Sequence, residues 1–502
     1  MHIVIVGGGT AGWLAAFMLQ DAGRRANLAV ELTVVESSKI PTIGVGEGTT
    51  AVFRQMLQHF GLDEVEFLRE TEATIKFGIR HRGWRRKGHQ YDGPIDDPHW
   101  VVSAAADGPQ SFLDIYAVAA GLPVAQAHLF GYLLDQHKSP YARKADGGLI
   151  PLGPFHHAFH FDQALAGRWL RKKSKGVEVI DAQVTGARRS AENGDIEALR
   201  TDSGTEISGD FFIDCTGFRR SLIAREMGAR WVSYADRLPV NRAMPFWVDL
   251  KADEEIPPYT LASACDAGWL WSIPTQTRYG CGYVYSDAFH TPESAQAEIE
   301  TTLGHKIQPR NDLRFDVGRL DRAWIGNCLA LGLASSFLEP LEATSIHGTI
   351  VQLMVFTQFH LTTRGVEDRE AYNTFVARQV DDFRDFINLH YVSERDDTPF
   401  WRHVKADCIG RETRERLALW QSKMPEYADF RPLPGRFAHV EQQLHYPVLD
   451  GLGLLSQQRA REHMDARPAL RRQAKAAVAG LTAEYRVAAP RALGHREFLS
   501  SL

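Results

Sequence analysis

Three glycines placed to touch a phosphate open the chain's chemistry. Gly7-Gly8-Gly9-Thr10-Ala11-Gly12 carries the G-x-G-x-x-G spacing behind the apolar run His2 to Val6 and at the start of a helical pattern. Gly7 permits a tight turn, Gly9 lets the backbone approach a pyrophosphate, and Gly12 lets strand and helix pack closely. The helix start at Thr10 and Ala11 offers unpaired N–H groups to the anion. Glu36, ending a second strand, is placed to accept a hydrogen bond from a ribose hydroxyl. A glycine turn without a ligand would explain the spacing alone, but strand, helix and acid together point to a dinucleotide. Two later strands end in glycine, at Asp214-Cys215-Thr216-Gly217 and at Gly326 to Gly332 followed by Leu333. Such ends can touch an extended dinucleotide again, which favours FAD over NAD without deciding between them.

Further candidates are weaker by themselves. Ile75-Lys76-Phe77-Gly78-Ile79 alternates as a strand, with Lys76 on the face opposite its apolar neighbours. A lysine so placed is ordinarily a solvated charge. In Gly268-Trp269-Leu270-Trp271-Ser272-Ile273-Pro274 the two tryptophans share one face of a strand, which an aromatic core patch would equally explain. The basic run Arg80 to Lys87 is expected to face solvent or a small-molecule phosphate.

The elements that must position these residues begin as β-α-β: a strand His2 to Val6, a helix from about Thr10 to Ala22 and a strand from about Val30 to Val35. A helix follows Asp162, hairpin strands are expected near 176 to 202, and short strands at Phe211 to Ile213, Gly280 to Ser286 and Cys328 to Leu331. From about residue 345 the pattern is mainly helical. The fold class is α/β (α+β): a Rossmann-like dinucleotide-binding module with an inserted β-rich part and a helical C-terminal region. Residues 1–105 and 150–345 are assigned to the first, and 106–149 and 346–502 to a mainly helical substrate-binding region.

Composition narrows the classes. The 502 residues are 44% hydrophobic and 24% charged, with a formal charge of −5; no apolar run is long enough to span a bilayer, and no basic footprint suits nucleic acid. No leader pattern precedes the first strand, so a cytoplasmic protein is expected. Five scattered cysteines without a C-x-x-C pair argue against a disulfide framework and a zinc site; no metal is expected.

The W-x-W-x-I-P segment Trp269, Trp271, Ile273 and Pro274 resembles the motif of the flavin-dependent tryptophan halogenases. Gly44-Val45-Gly46-Glu47-Gly48-Thr49 resembles that family's flavin-contacting strap, with Gly48 where alanine is more usual. Phe337 to Thr344 and Arg395 to Trp401 resemble further signatures. The likeness runs from residue 3 to past residue 400.

The resemblance implies FAD as cofactor, supplied as FADH2 by a separate flavin reductase and held in part by Gly46 and Glu47. It also implies that O2 and bromide or chloride are consumed to yield hypohalous acid. Lys76 matches the lysine that delivers electrophilic halogen to an aromatic ring, and Glu342 the carboxylate that stabilises the cationic ring or removes its proton. The halide site falls on the backbone of Thr344 and Ser345, but Ala343 and Ser345 depart from the usual Ser-Thr-Gly. The substrate pocket is assigned to His89, Tyr91, Val440, Leu444 and Tyr446. Its C-terminal stretch lacks the tryptophan of tryptophan-specific members, which points to the less specialised branch acting on indole-like rings. A homodimer is common in the family. The competing readings are an aromatic flavin monooxygenase, inserting oxygen without halide, and a non-catalytic flavoprotein sensor.

Overall fold

The computed structural model describes residues 1–40, 46–99, 112–430, 439–440 and 442–502. Strap residues Gly44 and Val45, the 105/106 boundary, and Phe437, Ala438 and Glu441 of the C-terminal stretch lie outside them.

A six-stranded sheet carries the dinucleotide turn. Its order is Glu178–Asp181, Glu31–Glu36, His2–Val6, Phe211–Asp214, Cys328–Ala330 and Trp324–Ile325, parallel except for the last pair. Ile3, Val4 and Ile5 are fully buried, as a parallel strand covered on both faces requires. The helix Thr10–Arg25 buries Trp13, Leu14, Phe17 and Met18. Gly12 brings it against the strand end: a Cβ there would stand 1.9 Å from the Gly7 carbonyl oxygen. The expected hairpin near 176 to 202 is divided. Glu178–Asp181 joins the parallel sheet beside Glu31–Glu36, and only Val184–Arg189 and Ile196–Thr201 pair as a hairpin.

A seven-stranded, mainly antiparallel sheet forms the β-rich part, in the order Leu313–Arg314, Arg242–Asp249, Arg278–Tyr285, Gly268–Pro274, Thr260–Ala264, Gly78–Arg82, Gln90–Pro94. A three-stranded sheet of Gly46–Gly48, Ala158–Asp162 and Thr74–Lys76 lies against it.

Two expectations fail in this part of the fold. Ile75 to Ile79 is not one strand. Thr74–Lys76 belongs to the small sheet and Gly78–Arg82 to the large one, and Phe77 hands the chain across, its N–H donating to Pro258 and its carbonyl accepting from Ile95. Lys76 is therefore buried rather than on a solvated face. The basic run is likewise not a solvent patch throughout. Gly78–Arg82 lies between two neighbouring strands, so Arg80 and His81 are buried, as is Trp84 just beyond them, and Arg80 pairs with Asp92 and Asp135.

Beyond residue 344 the described chain is mainly helical, and Ala492–Gly494 pairs as a strand with Lys138–Arg143. The long helix Val366–His390 ends against the large sheet's His81 and against Trp84 in the bend that follows that strand. Among the described residues no helix is long and apolar enough to cross a membrane.

Candidate active site

A cleft of about 1200 Å³ runs between the glycine turn and the two β-sheets. Gly7, Gly9, Thr10, Ala11, Glu36, Gly46, Glu47, Gly332 and Leu333 all line it. Gly12 lies behind the turn. The turn is closed against the sheet and open to the cleft. At Gly7 (φ +115) a Cβ would meet the Cys215 carbonyl oxygen at 2.3 Å, whereas at Gly9 nothing lies within 4 Å. Glu36 accepts from Arg171 at 2.5 Å and borders the cleft where a ribose would reach it. A dinucleotide of flavin type fits this cradle by its open glycine, its helix N-terminus and the carboxylate beside them. Burial pushes the Glu47 carboxyl up to about 7. Trp271 and Ile273 border the cleft; Trp269 instead turns its N–H to Glu339 at 2.6 Å.

At the inner end of the cleft stands Lys76, 3% exposed, its ammonium donating to the Thr49 carbonyl at 3.1 Å. Burial brings it down to about 8, against the pull of the Glu342 carboxylate. The two side chains thus share one electrostatic environment although they come from distant segments.

Glu342 ends the short turn Pro340–Glu342. Ala343 follows in a left-handed conformation (φ +54) and the helix Thr344–Val355 begins. Ser345 lines the cleft and Thr344 is buried beside it. Their N–H groups belong to a helix N-terminus with no side-chain cap, a suitable seat for an anion. Glu342 is flanked by His390 Nε2 at 2.9 Å and His81 Nε2 at 4.0 Å. These three donor groups lie within 4.8 Å of one another.

The residues assigned to the substrate pocket divide. Tyr91 stacks flat on His81 (4.5 Å, 9°), and His89 lies 6.2 Å beyond. Tyr91 faces the helix Gln442–Gly451, where a Cβ at Gly451 would fall 2.2 Å from its ring. Leu444, half-buried, is on that helix and Val440 is buried just before it. Tyr446 is fully buried and its hydroxyl donates to the Pro425 carbonyl, so its ring packs the core.

Sequence reasoning missed His81, His390 and Glu339. His81 was hidden in a basic run, and His390 carries no local motif. Glu339 stood inside a quoted signature without a role; it is fully buried, accepts from Trp269 and Tyr391, and is pushed up to about 7 by burial.

The family model described as tryptophan halogenase matches residues 2–466. The chain belongs to the flavin-dependent tryptophan halogenase family. It is 34% identical over 454 residues to the tryptophan 6-halogenase SttH of Streptomyces toxytricini, covering 86% of each chain. It is 33% identical over 485 residues to the tryptophan 7-halogenase RebH of Lentzea aerocolonigenes, covering 90% of this chain and 89% of that one. The crystal structure of SttH superposes with a TM-score of 0.89 over 100% of both chains. That of BrvH, a flavin-dependent halogenase from Brevundimonas sp. BAL3, gives 0.81 at 29% identity, covering 100% of this chain and 98% of that one. The protein is accordingly a flavin-dependent halogenase.

Proposed function

We propose that this halogenase places bromine or chlorine on a simple indole-like ring, with Lys76 delivering the halogen and Glu342 removing the ring proton. The observation that carries the reading is the pairing of a buried lysine of lowered proton affinity, at the inner end of the flavin cleft, with a carboxylate that acts on it electrostatically. Buried groups with shifted affinity for protons concentrate at catalytic sites.

Reduced FAD from a separate reductase, bound in the cleft, supplies with O2 the oxidising power that turns a halide ion into hypohalous acid. The protein's own residues then do the rest. The N–H groups of Thr344 and Ser345 hold the halide. Lys76, fixed by the Thr49 carbonyl, binds the oxidised halogen by hydrogen bonding or as a haloamine and orients it. Glu342 faces the cationic ring formed on halogen addition and takes its proton. An indole-like ring rather than free tryptophan is favoured because Tyr446 is turned into the core, leaving fewer aromatic groups to clamp an amino acid.

The test supplies enzyme with FAD, a flavin reductase, NADH, O2 and bromide or chloride, offers indole and tryptophan, and reads products by mass spectrometry. Halogenated indole is expected. A product that gains one oxygen and no halogen would favour a monooxygenase and defeat the reading.

A further inference from the structure

His390 closes the 25-residue helix Val366–His390, is 0% exposed, and meets Glu342 Oε1 through Nε2 at 2.9 Å. Its other nitrogen, Nδ1, lies 2.9 Å from the Phe386 carbonyl oxygen. A carbonyl only accepts, so Nδ1 carries a proton. If Nε2 bore a lone pair, it would face a carboxylate oxygen at hydrogen-bond distance with nothing between them. That is a repulsive contact, and a proton at Nε2 turns it into a charge-assisted hydrogen bond. As placed, Nε2 and Oε1 stand at ion-pair distance without making that hydrogen bond.

The helix argues the same way. Its C-terminal end carries partial negative charge from unpaired carbonyls, which favours a cation in the last turn. The surrounding groups leave that charge to His390. His81, packed 5.1 Å away, is held well below its usual range, by burial first. Lys76 holds its own proton less tightly than usual, and Glu339, which accepts from the Trp269 N–H, is pushed up to about 7 by burial.

We infer that His390 is a positioning residue, an imidazolium that fixes one oxygen of Glu342 so that the other faces the ring. The inference deepens the role proposed for Glu342 and rests on it. In the step concerned, the C–H bond at the halogenated carbon breaks, its electron pair returns to the ring, and the proton passes to the free oxygen of Glu342. From there it leaves to water with the product. His390 gives up no proton.

The test compares wild type, His390→Phe and His390→Gln in the reductase-coupled assay, using indole and ring-deuterated indole with bromide. His390→Phe is expected to lower kcat on the order of 100-fold, with FAD affinity and KM for indole near wild type. Proton removal then limits turnover, so a primary deuterium isotope effect appears that wild type lacks. His390→Gln retains an N–H toward Glu342 and recovers most of the loss. Unchanged kcat in His390→Phe, a loss with no isotope effect, or no recovery in His390→Gln would each overturn the inference. A second measurement needs neither substrate nor the Phe variant. In protein labelled with 15N-histidine, the signal absent from His390→Gln should show both ring nitrogens protonated at neutral pH. A neutral ring there, or a signal that shifts on addition of Zn2+ because a metal occupies the gap, refutes the imidazolium. Wild type that makes no halogenated indole counts against the proposed substrate, while the nitrogen spectrum still decides the state of His390.

Discussion

Gly48 stands directly over the Lys76 ammonium: a Cβ added at Gly48 would lie 3.3 Å from Nζ, with His160 and Thr260 each 3.6 Å away. The missing methyl group leaves room beside the nitrogen proposed to handle the halogen. Gly48→Ala is expected to narrow that space and to penalise bromine more than chlorine, because the larger atom needs the clearance. Overpacking of this kind costs about 1–3 kcal/mol where neighbours cannot yield, so the brominated-to-chlorinated product ratio in mixed halide should fall about tenfold, a change of ~1.4 kcal/mol. An unchanged ratio would show that the strap does not gate halogen size.

Lys76→Met should abolish halogenation and make the protein more stable near neutral pH. The folded lysine titrates at about 8 against an ordinary 10.5, so the folded chain binds the proton less tightly than the unfolded chain. The penalty for burying the charge is complete below pH 8 and fades as the pH climbs to 10.5. Its size is about 3 kcal/mol, from ~1.4 kcal/mol per unit. Urea midpoints at pH 7 should rise in the variant and converge with wild type near pH 10.5. A variant less stable at pH 7 contradicts the sign.

The glycine turn was legible because its causes are local: an apolar run, three glycines and a helix start fall within a dozen consecutive residues. The interior of the site was not. Alternation placed Lys76 opposite its apolar neighbours, where a lysine is ordinarily solvated, because no pattern announces that the strand breaks at Phe77 and passes between two sheets. His81 looked like one more member of a basic run, although its strand is enclosed by neighbours on both sides. Lys76 and Glu342 were found by motif, whereas His390 comes to Glu342 only through the length of its helix and where that helix docks. Such a contact is tertiary and leaves no local periodicity to read.

Glu339 offers a second titration, of opposite sign. Its Oε2 accepts from Trp269 and Tyr391 while its Oε1 has no hydrogen-bond partner among the described residues, and burial raises the carboxyl from 4.5 to about 7. The folded state therefore holds this proton more tightly than the unfolded one. Stability from the protonated acid is complete below pH 4.5 and is lost as the pH rises through 7, by about 3 kcal/mol in all. Glu339→Gln keeps an acceptor for both donors without the charge. It should match wild type at pH 4 and exceed it at pH 8, whereas Glu339→Leu, which strands two buried donors, should be less stable at both. Parallel pH profiles for wild type and Glu339→Gln would rule this out.

Trp271 and Gly282 are paired across adjacent strands, and the indole lies over the glycine so closely that a Cβ at Gly282 would fall 2.1 Å from two of its ring carbons. The glycine is thus what allows Trp271 to lie flat beside the cleft it lines. In Gly282→Ala the ring must swing away from the sheet, and the open space on that side is the flavin cleft. The variant is expected to lose about 1–3 kcal/mol of stability from overpacking and to bind FAD at least tenfold more weakly, as read by flavin fluorescence titration. Replacing Trp271 by Leu in the same background relieves the clash and should restore part of the affinity. If Gly282→Ala binds FAD as wild type does, Trp271 does not border the occupied part of the cleft, and the W-x-W-x-I-P segment acts on the flavin only through the packing of its strand.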